Sequence, residues 1–322
     1  RQDENNNSIR YELKSLFYIY LSGTHATPEQ RLKMIEKLVE SDDDIRCQLG
    51  VELLGASLEA WDFTSTHNFE FGDRSRDYGY MPKNKEEICH WYKLYIEYAT
   101  MLAITDIPLA SKAKVILAEN FRGLWIKAHL FDELAWATRK ISSKTTWHEG
   151  WVAVRNTKRF DGEMMSPDCL EVLNTLDVLL KPVSLMDKVR LYAFSGRLSI
   201  SDLSHLDDTL EQQDDKVDFD YFKITRTLGA EVGANKEIFK ELLVEMLSCD
   251  CKRLFSFGQG LYDGCAEPKK MWKDFCQTLS LVEEASRNFG ILCGFLNAIS
   301  QIYITISEEL LQEAIYDKVL AI

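Results

Sequence analysis

Between Asp62 and Lys85 the chain gathers the side chains best suited to chemistry: His67, Glu70, Asp73, Arg74, Arg76 and Asp77, set among Phe63, Phe69, Phe71, Tyr78 and Tyr80. An imidazole and several carboxylates in one loop are the ligand and acid–base types of a metal-dependent hydrolase or nuclease. The spacing of His67, Glu70, Asp73 and Asp77 matches no HExxH or comparable motif, so that chemistry is the alternative reading. The leading one is a surface for a protein partner, formed by His67, Phe69, Phe71, Asp73, Arg74, Arg76, Asp77, Tyr78 and Tyr80. Arginine and aromatic residues dominate interface hot spots. Arg74 and Arg76 alternate with Asp73 and Asp77, a pattern that either locks the loop internally or turns guanidinium forks outward. Gly72 and Gly79 flank this segment and would let it stand off the helices.

Three other groupings carry weaker signals. Cys249 and Cys251, with Cys265 and Cys276 downstream, lack the usual C-x₂₋₄-C spacing of a zinc site. Phe257-Gly-Gln-Gly-Leu-Tyr-Asp-Gly264 is glycine-rich, but it is not the G-x-G-x-x-G of a dinucleotide loop and reads as a tight turn between helices. Arg139, Lys140, Lys144, Arg155, Lys158 and Arg159 surround Trp147 and Trp151, an arrangement that could follow a nucleic-acid backbone. The simpler reading has both tryptophans in the core and the cations in solvent. No Ser-His-Asp or Cys-His arrangement and no P-loop occurs, so no catalytic motif, cofactor or metal site is assigned.

Helices must hold all of these residues. Val51, Leu53, Leu54, Leu58 and Trp61 recur at helical spacing before the 62–85 insert, and Ile88, Trp91, Tyr92, Tyr95 and Ile96 recur after it. An insert this long exceeds the usual two to eight residues or so between helices, and its aromatic content argues against disorder. Upstream, Ile9–Leu21 reads as a helix stopped by Gly23. Thr27, Pro28 and Gln30 form a helix start signal, and Ser41 caps the next helix through Asp42, Asp43 and Asp44. Downstream, helices are predicted at Leu109–Asn120 and Phe121–Ile141, then on the Trp147/Trp151/Val154 face, which ends in a turn-like Asn156–Gly162. Pro167 and Pro182 open two more. Residues 199–218 are acidic and poorly periodic, the expected linker between a 1–198 region and a helical 219–322 region. Helices then resume from Tyr221, among them Lys252–Phe257, Lys270–Arg287 and Phe289–Ile306. No strand alternation is found, so the fold class is all-α. The pair Pro28–Leu58 reads as one repeat of an irregular HEAT-like α-solenoid, an array of antiparallel helix pairs.

The 322 residues carry a net charge of −13, which argues against broad phosphate binding. No apolar run reaches a membrane span of about 18 residues, so no membrane partner is expected. The eight cysteines are irregularly spaced, which suits buried cytoplasmic thiols better than a disulfide framework. The chain opens on Arg1 and ends in a helical pattern without a cap, as expected of part of a larger protein. Leu58-Glu-Ala-Trp-Asp-Phe-Thr-Ser-Thr-His-Asn-Phe-Glu-Phe-Gly-Asp-Arg-Ser-Arg-Asp-Tyr-Gly-Tyr, with Pro82, His90-Trp-Tyr, Phe121-Arg-Gly-Leu-Trp and Trp147-His-Glu-Gly-Trp, resembles the helical region of bacterial anti-phage STAND-NTPase proteins. That resemblance implies a sensor or scaffold whose enzymatic domains lie elsewhere. It also implies a protein partner: a phage protein, or another domain or subunit of the same assembly.

Overall fold

The computed structural model describes residues 9–61, 78–196, 203, 221–249, 251, 254–316 and 319–320. Among them the fold is all-helical, with no strand. No helix among these residues is long and apolar enough to cross a membrane. The chain divides into two compact units, Arg1–Lys181 and Pro182–Ile322. The division falls ahead of the acidic 199–218 stretch, which, Leu203 aside, lies outside the described residues.

The first unit holds α1 (Ile9–Ser15), α2 (Pro28–Val39), α3 (Asp44–Leu58), α4 (Lys85–Ala103), α5 (Leu109–Ile126), α6 (Phe131–Ser142), α7 (His148–Asp161) and α8 (Pro167–Leu180). Its helices contact one another in two interleaved rows. In one row α2 meets α4, α4 meets α6 and α6 meets α8; in the other α1 meets α3, α3 meets α5 and α5 meets α7. Thr27 and Gln30 form the expected capping box at α2, Thr27 N–H donating to Gln30 Oε1 at 2.9 Å. Asp43, rather than Ser41, caps α3, accepting from Ile45 N–H at 2.9 Å. α1 ends at Ser15, short of the predicted Leu21, and Leu21 itself sits at φ 53°.

α4 supplies the centre of this unit. Trp91, Tyr92, Tyr95 and Ile96 are buried, and the polar tips of the three aromatics all reach backbone carbonyls: Trp91 to Ser57 (2.8 Å), Tyr92 to Glu59 (2.9 Å) and Tyr95 to Pro28 (2.9 Å). These bonds tie α4 to α2 and to the end of α3, and they let large aromatics be buried without stranding a polar group. Burial pushes the Tyr92 and Tyr95 hydroxyls well above the usual phenol range, so both remain donors.

The boundary predicted at 120/121 is corrected. α5 continues to Ile126 and the break comes at 127–130, where His129 takes φ 56° and Leu130 N–H bonds back to the Leu124 carbonyl at 3.2 Å. Asn156–Asp161, expected as a turn, is the last part of α7. Trp125 and Trp151 are buried, as their spacing suggested. Trp151 also donates to Asp177 Oδ1 at 2.8 Å. Replacing Trp151 with Ala is expected to cost about 3–5 kcal/mol through lost burial and a cavity, read by urea unfolding.

The second unit holds α9 (Leu185–Val189), which runs into a π turn at Arg190–Phe194. α10 (Tyr221–Ala234), α11 (Lys236–Ser248), α12 (Leu254–Gly264), α13 (Pro268–Leu279), α14 (Gly290–Ile302) and α15 (Ile304–Tyr316) follow. α10 packs on α12, α12 on α14, and α11 on α13. The glycine string 257–264 is not a turn, as the sequence suggested, but the body of α12. A Cβ at Gly260 would strike the Arg226 carbonyl, at Gly264 the Ala230 carbonyl, and at Gly258 the Ile291 carbonyl. Gly229, Gly233 and Gly294 make the reciprocal approaches to α12. Three helices thus meet backbone to backbone, the close approach that small residues spaced by four permit. The helix predicted at Lys270–Arg287 stops at Leu279, and Phe289–Ile306 is interrupted at Tyr303. Of the cysteines, only Cys251 is buried; Cys293 is exposed and the rest are intermediate, all as free thiols.

Candidate functional site

Of the residues predicted to bind a partner, His67, Phe69, Phe71, Asp73, Arg74, Arg76 and Asp77 lie outside the described residues, as does Glu70 of the metal-dependent alternative. Tyr78 and Tyr80 mark the point where the chain returns. Gly23 N–H donates to the Tyr78 carbonyl at 3.2 Å and Tyr80 N–H to the Thr24 carbonyl at 2.8 Å. Between them Gly79 sits at φ 76°, where a Cβ would strike the Thr24 backbone. Gly79 therefore docks the chain against residues 23–24, while Gly72 and residues 73–77 lie outside the described residues.

Arg31 organises this docking. It is 3% exposed and donates to the carbonyls of Ala26 (3.0 Å), Tyr18 (2.9 Å) and Thr24 (3.2 Å) and to Ser22 Oγ (3.0 Å). Its guanidinium lies 4.9 Å from the Trp91 ring centroid and 5.8 Å from that of Tyr80, and those two rings stack at 5.9 Å. Burial pushes Arg31 down to about 10, which leaves it charged at neutral pH. Tyr80 thus has its ring committed to an internal stack, while Tyr78 is 45% exposed.

The basic cluster separates into two kinds of residue. Arg139 and Lys140 are exposed in the last turn of α6. Arg155 is buried and meets Asp177 at 3.3 Å, with Lys158 at 3.7 Å from the same carboxylate oxygen. Asp177 on α8 thus collects Trp151, Arg155 and Lys158, so Arg155 is a strut of the α7–α8 packing, not a solvated cation. Arg159 lies over the Phe160 ring at 5.1 Å. Among the described residues no cluster of three His, Cys, Asp or Glu side chains could hold a metal ion.

A different surface emerges just before the insert. The structure ends α3 at Leu58, so Trp61 leaves the helix that its spacing predicted and stands 41% exposed. α5 passes close by: a Cβ at Gly123 would lie at ordinary contact distance, 3.6–3.7 Å, from Ala60 and the Trp61 backbone nitrogen. Arg122, next to that glycine, sits between two aromatic faces, 4.9 Å from Trp61 and 4.8 Å from Phe160. Its Nε and Nη2 donate to the two Asp161 oxygens at 2.7 and 3.2 Å, a bidentate fork that fixes the guanidinium plane. Lys127 Nζ adds a second cation, 4.8 Å from Trp61. Phe160 is 53% exposed and Met164 82%. The sequence reading passed over Phe160. Its signal was an aromatic residue outside the Trp147/Trp151/Val154 period of its own helix.

A half-open pocket of about 360 Å³ shares Asp161 and Met164 with this region and is lined also by Trp125, Ile126, His129, Phe131, Met165, Ser166 and Cys169. Trp125 stacks on Phe121 at 5.6 Å and meets Phe131 edge-on at 4.9 Å. Its Nε1–H is buried and finds no acceptor in the protein. His129, in its left-handed conformation, sets the rim with its ring 5.8 Å from Phe131. Strained backbone of this kind collects at ligand-binding sites. Comparison with family models, curated proteins and solved structures gives no significant match.

Proposed function

We propose that this chain is a protein-binding scaffold or sensor region. Its helix pairs would be stacked as an irregular HEAT-like α-solenoid within a larger bacterial anti-phage defence protein of STAND-NTPase type, acting in the cytoplasm. The two interleaved helix rows of the first unit support the solenoid arrangement, since repeats that touch only their neighbours pack this way. The defence setting rests on the sequence resemblance. The binding role rests on one observation: exposed Trp61 and Phe160 flank Arg122, whose plane the Asp161 fork already holds. Such a group presents an arginine and two aromatics in fixed geometry, so a partner would meet little ordering cost on binding.

The test replaces Phe160 with a photo-crosslinking phenylalanine analogue in the full-length protein, expressed in its own cells with and without phage challenge. Affinity is then measured between the purified crosslinked partner and the Trp61→Ala and Phe160→Ala variants. Each substitution is expected to weaken binding by roughly 30-fold, a hot-spot loss of about 2 kcal/mol. Both side chains are about half exposed and each lies under cations, so each substitution should cost about 1–2 kcal/mol of stability and leave the protein folded. Unchanged affinity in both variants would overturn the assignment of this surface.

A further inference from the structure

We infer that the partner met by the Trp61–Arg122–Phe160 surface is an acidic polypeptide segment, whose carboxylates pair with Lys127 and Arg159 while one of its apolar side chains seats on the two exposed rings. The inference deepens the partner reading above and rests on it.

Contacts here run in a chain from Lys127 to Trp61, Arg122, Phe160 and Arg159, so that each ring meets two cations. The middle cation is neutralised, because Asp161 holds Arg122 with both oxygens. The outer two differ. Lys127 and Arg159 are exposed, and among the described residues neither forms an ion pair or a side-chain hydrogen bond. Asp161 is taken by Arg122, Asp177 by Arg155 and Lys158, and Glu59 accepts from the Trp61 N–H at 2.8 Å. Glu163, exposed just after α7, pairs with neither.

Two cations thus stand without a carboxylate at the ends of an exposed aromatic pair, on a chain whose net charge is −13. Each could keep its place on a ring and still gain a carboxylate from a partner. A basic partner would be repelled. A nucleic acid fits less well, since its backbone needs a run of uncompensated cations, whereas Arg122, Arg155 and Lys158 already share Asp161 and Asp177. Its bases would also compete with the cations for the ring faces.

The experiment screens the full-length protein against a bead-bound library of random dodecapeptides, then measures the selected peptides free in solution. Selected sequences are expected to combine two or more Asp or Glu with a large apolar residue. Their affinity should fall about tenfold as salt rises from about 0.05 to 0.5 M, and about thirtyfold in the Lys127→Glu/Arg159→Glu double variant. Peptides with Lys in place of their acids should bind that variant instead, a recovery that also shows it to be folded. Where circular dichroism shows it unfolded, Arg159→Gln takes its place, with an expected loss of about threefold. Selection of neutral or basic sequences, no selection at all, acidic peptides indifferent to these variants, or equal binding of single-stranded DNA of matched charge would overturn the inference. Neutral apolar peptides lost in Trp61→Ala would overturn it alone; peptides unaffected by Trp61→Ala would overturn the partner reading with it.

Discussion

Gly260→Ala is expected to destabilise the second unit severely, by about 3–5 kcal/mol, though it adds one methyl group. Overpacking a core usually costs about 1–3 kcal/mol, because side chains around the new atoms can move. Here the neighbour is the Arg226 carbonyl, with the Ala230 backbone nitrogen beside it, and backbone can yield only if α10 and α12 separate. Separation would also disturb the contacts that Gly229, Gly233 and Gly264 permit along the same seam. The control is Gly55→Ala in α3, where a new Cβ would meet only the Ile116 side chain at ordinary distances of 3.7–3.8 Å. That substitution should gain roughly 0.5–1 kcal/mol from helix propensity alone. Urea unfolding of the two variants reads opposite signs; two similar values would refute the account of the glycine seam.

Arg31→Met should rank beside it, at a loss of about 3–5 kcal/mol. Methionine keeps much of the apolar stem but leaves the carbonyls of Tyr18 and Ala26 without the donor that Arg31 supplies, and the Thr24 carbonyl with its Tyr80 N–H bond but not its bond from Arg31. Arg31→Lys should recover only part of the loss. An ammonium keeps the charge, but it cannot reach four acceptors in a plane while lying over Trp91 and Tyr80. Hydrogen exchange should accelerate at residues 17–26 and 78–80 together, because one guanidinium joins both segments. Full stability in the lysine variant would show that charge alone is what this position requires.

The helices themselves were legible from apolar period and capping chemistry: Thr27 with Gln30 at α2, Pro167 behind the Ser166 cap at α8, and Trp91 and Tyr95 on one face of α4. What failed was punctuation. The α5–α6 break has no glycine or proline to announce it; a histidine takes the left-handed position, so the residues around it read as continuous helix. The string 257–264 has the opposite fault, since its glycines look like a turn until a second helix is known to approach them. Partnership was also invisible. Arg155 reads as a surface cation because Asp177, which neutralises it, lies on the next helix. Arg122 reads as an ordinary member of α5 because Trp61 and Phe160 reach it from elements far away in sequence. Long-range geometry of this kind leaves no local period to detect.

The two interleaved rows of the first unit have a kinetic consequence. Each substantial helix contact there joins elements no more than two apart in the chain. Little loop-closure entropy must then be lost before a contact forms, and low contact order of this sort goes with rapid folding. The same locality limits how far damage spreads: a loosened α8 leaves the contacts among α2, α3 and α4 untouched. Unfolding should therefore travel helix pair by helix pair, and a helix at the edge of the array can open while its distant neighbours stay closed.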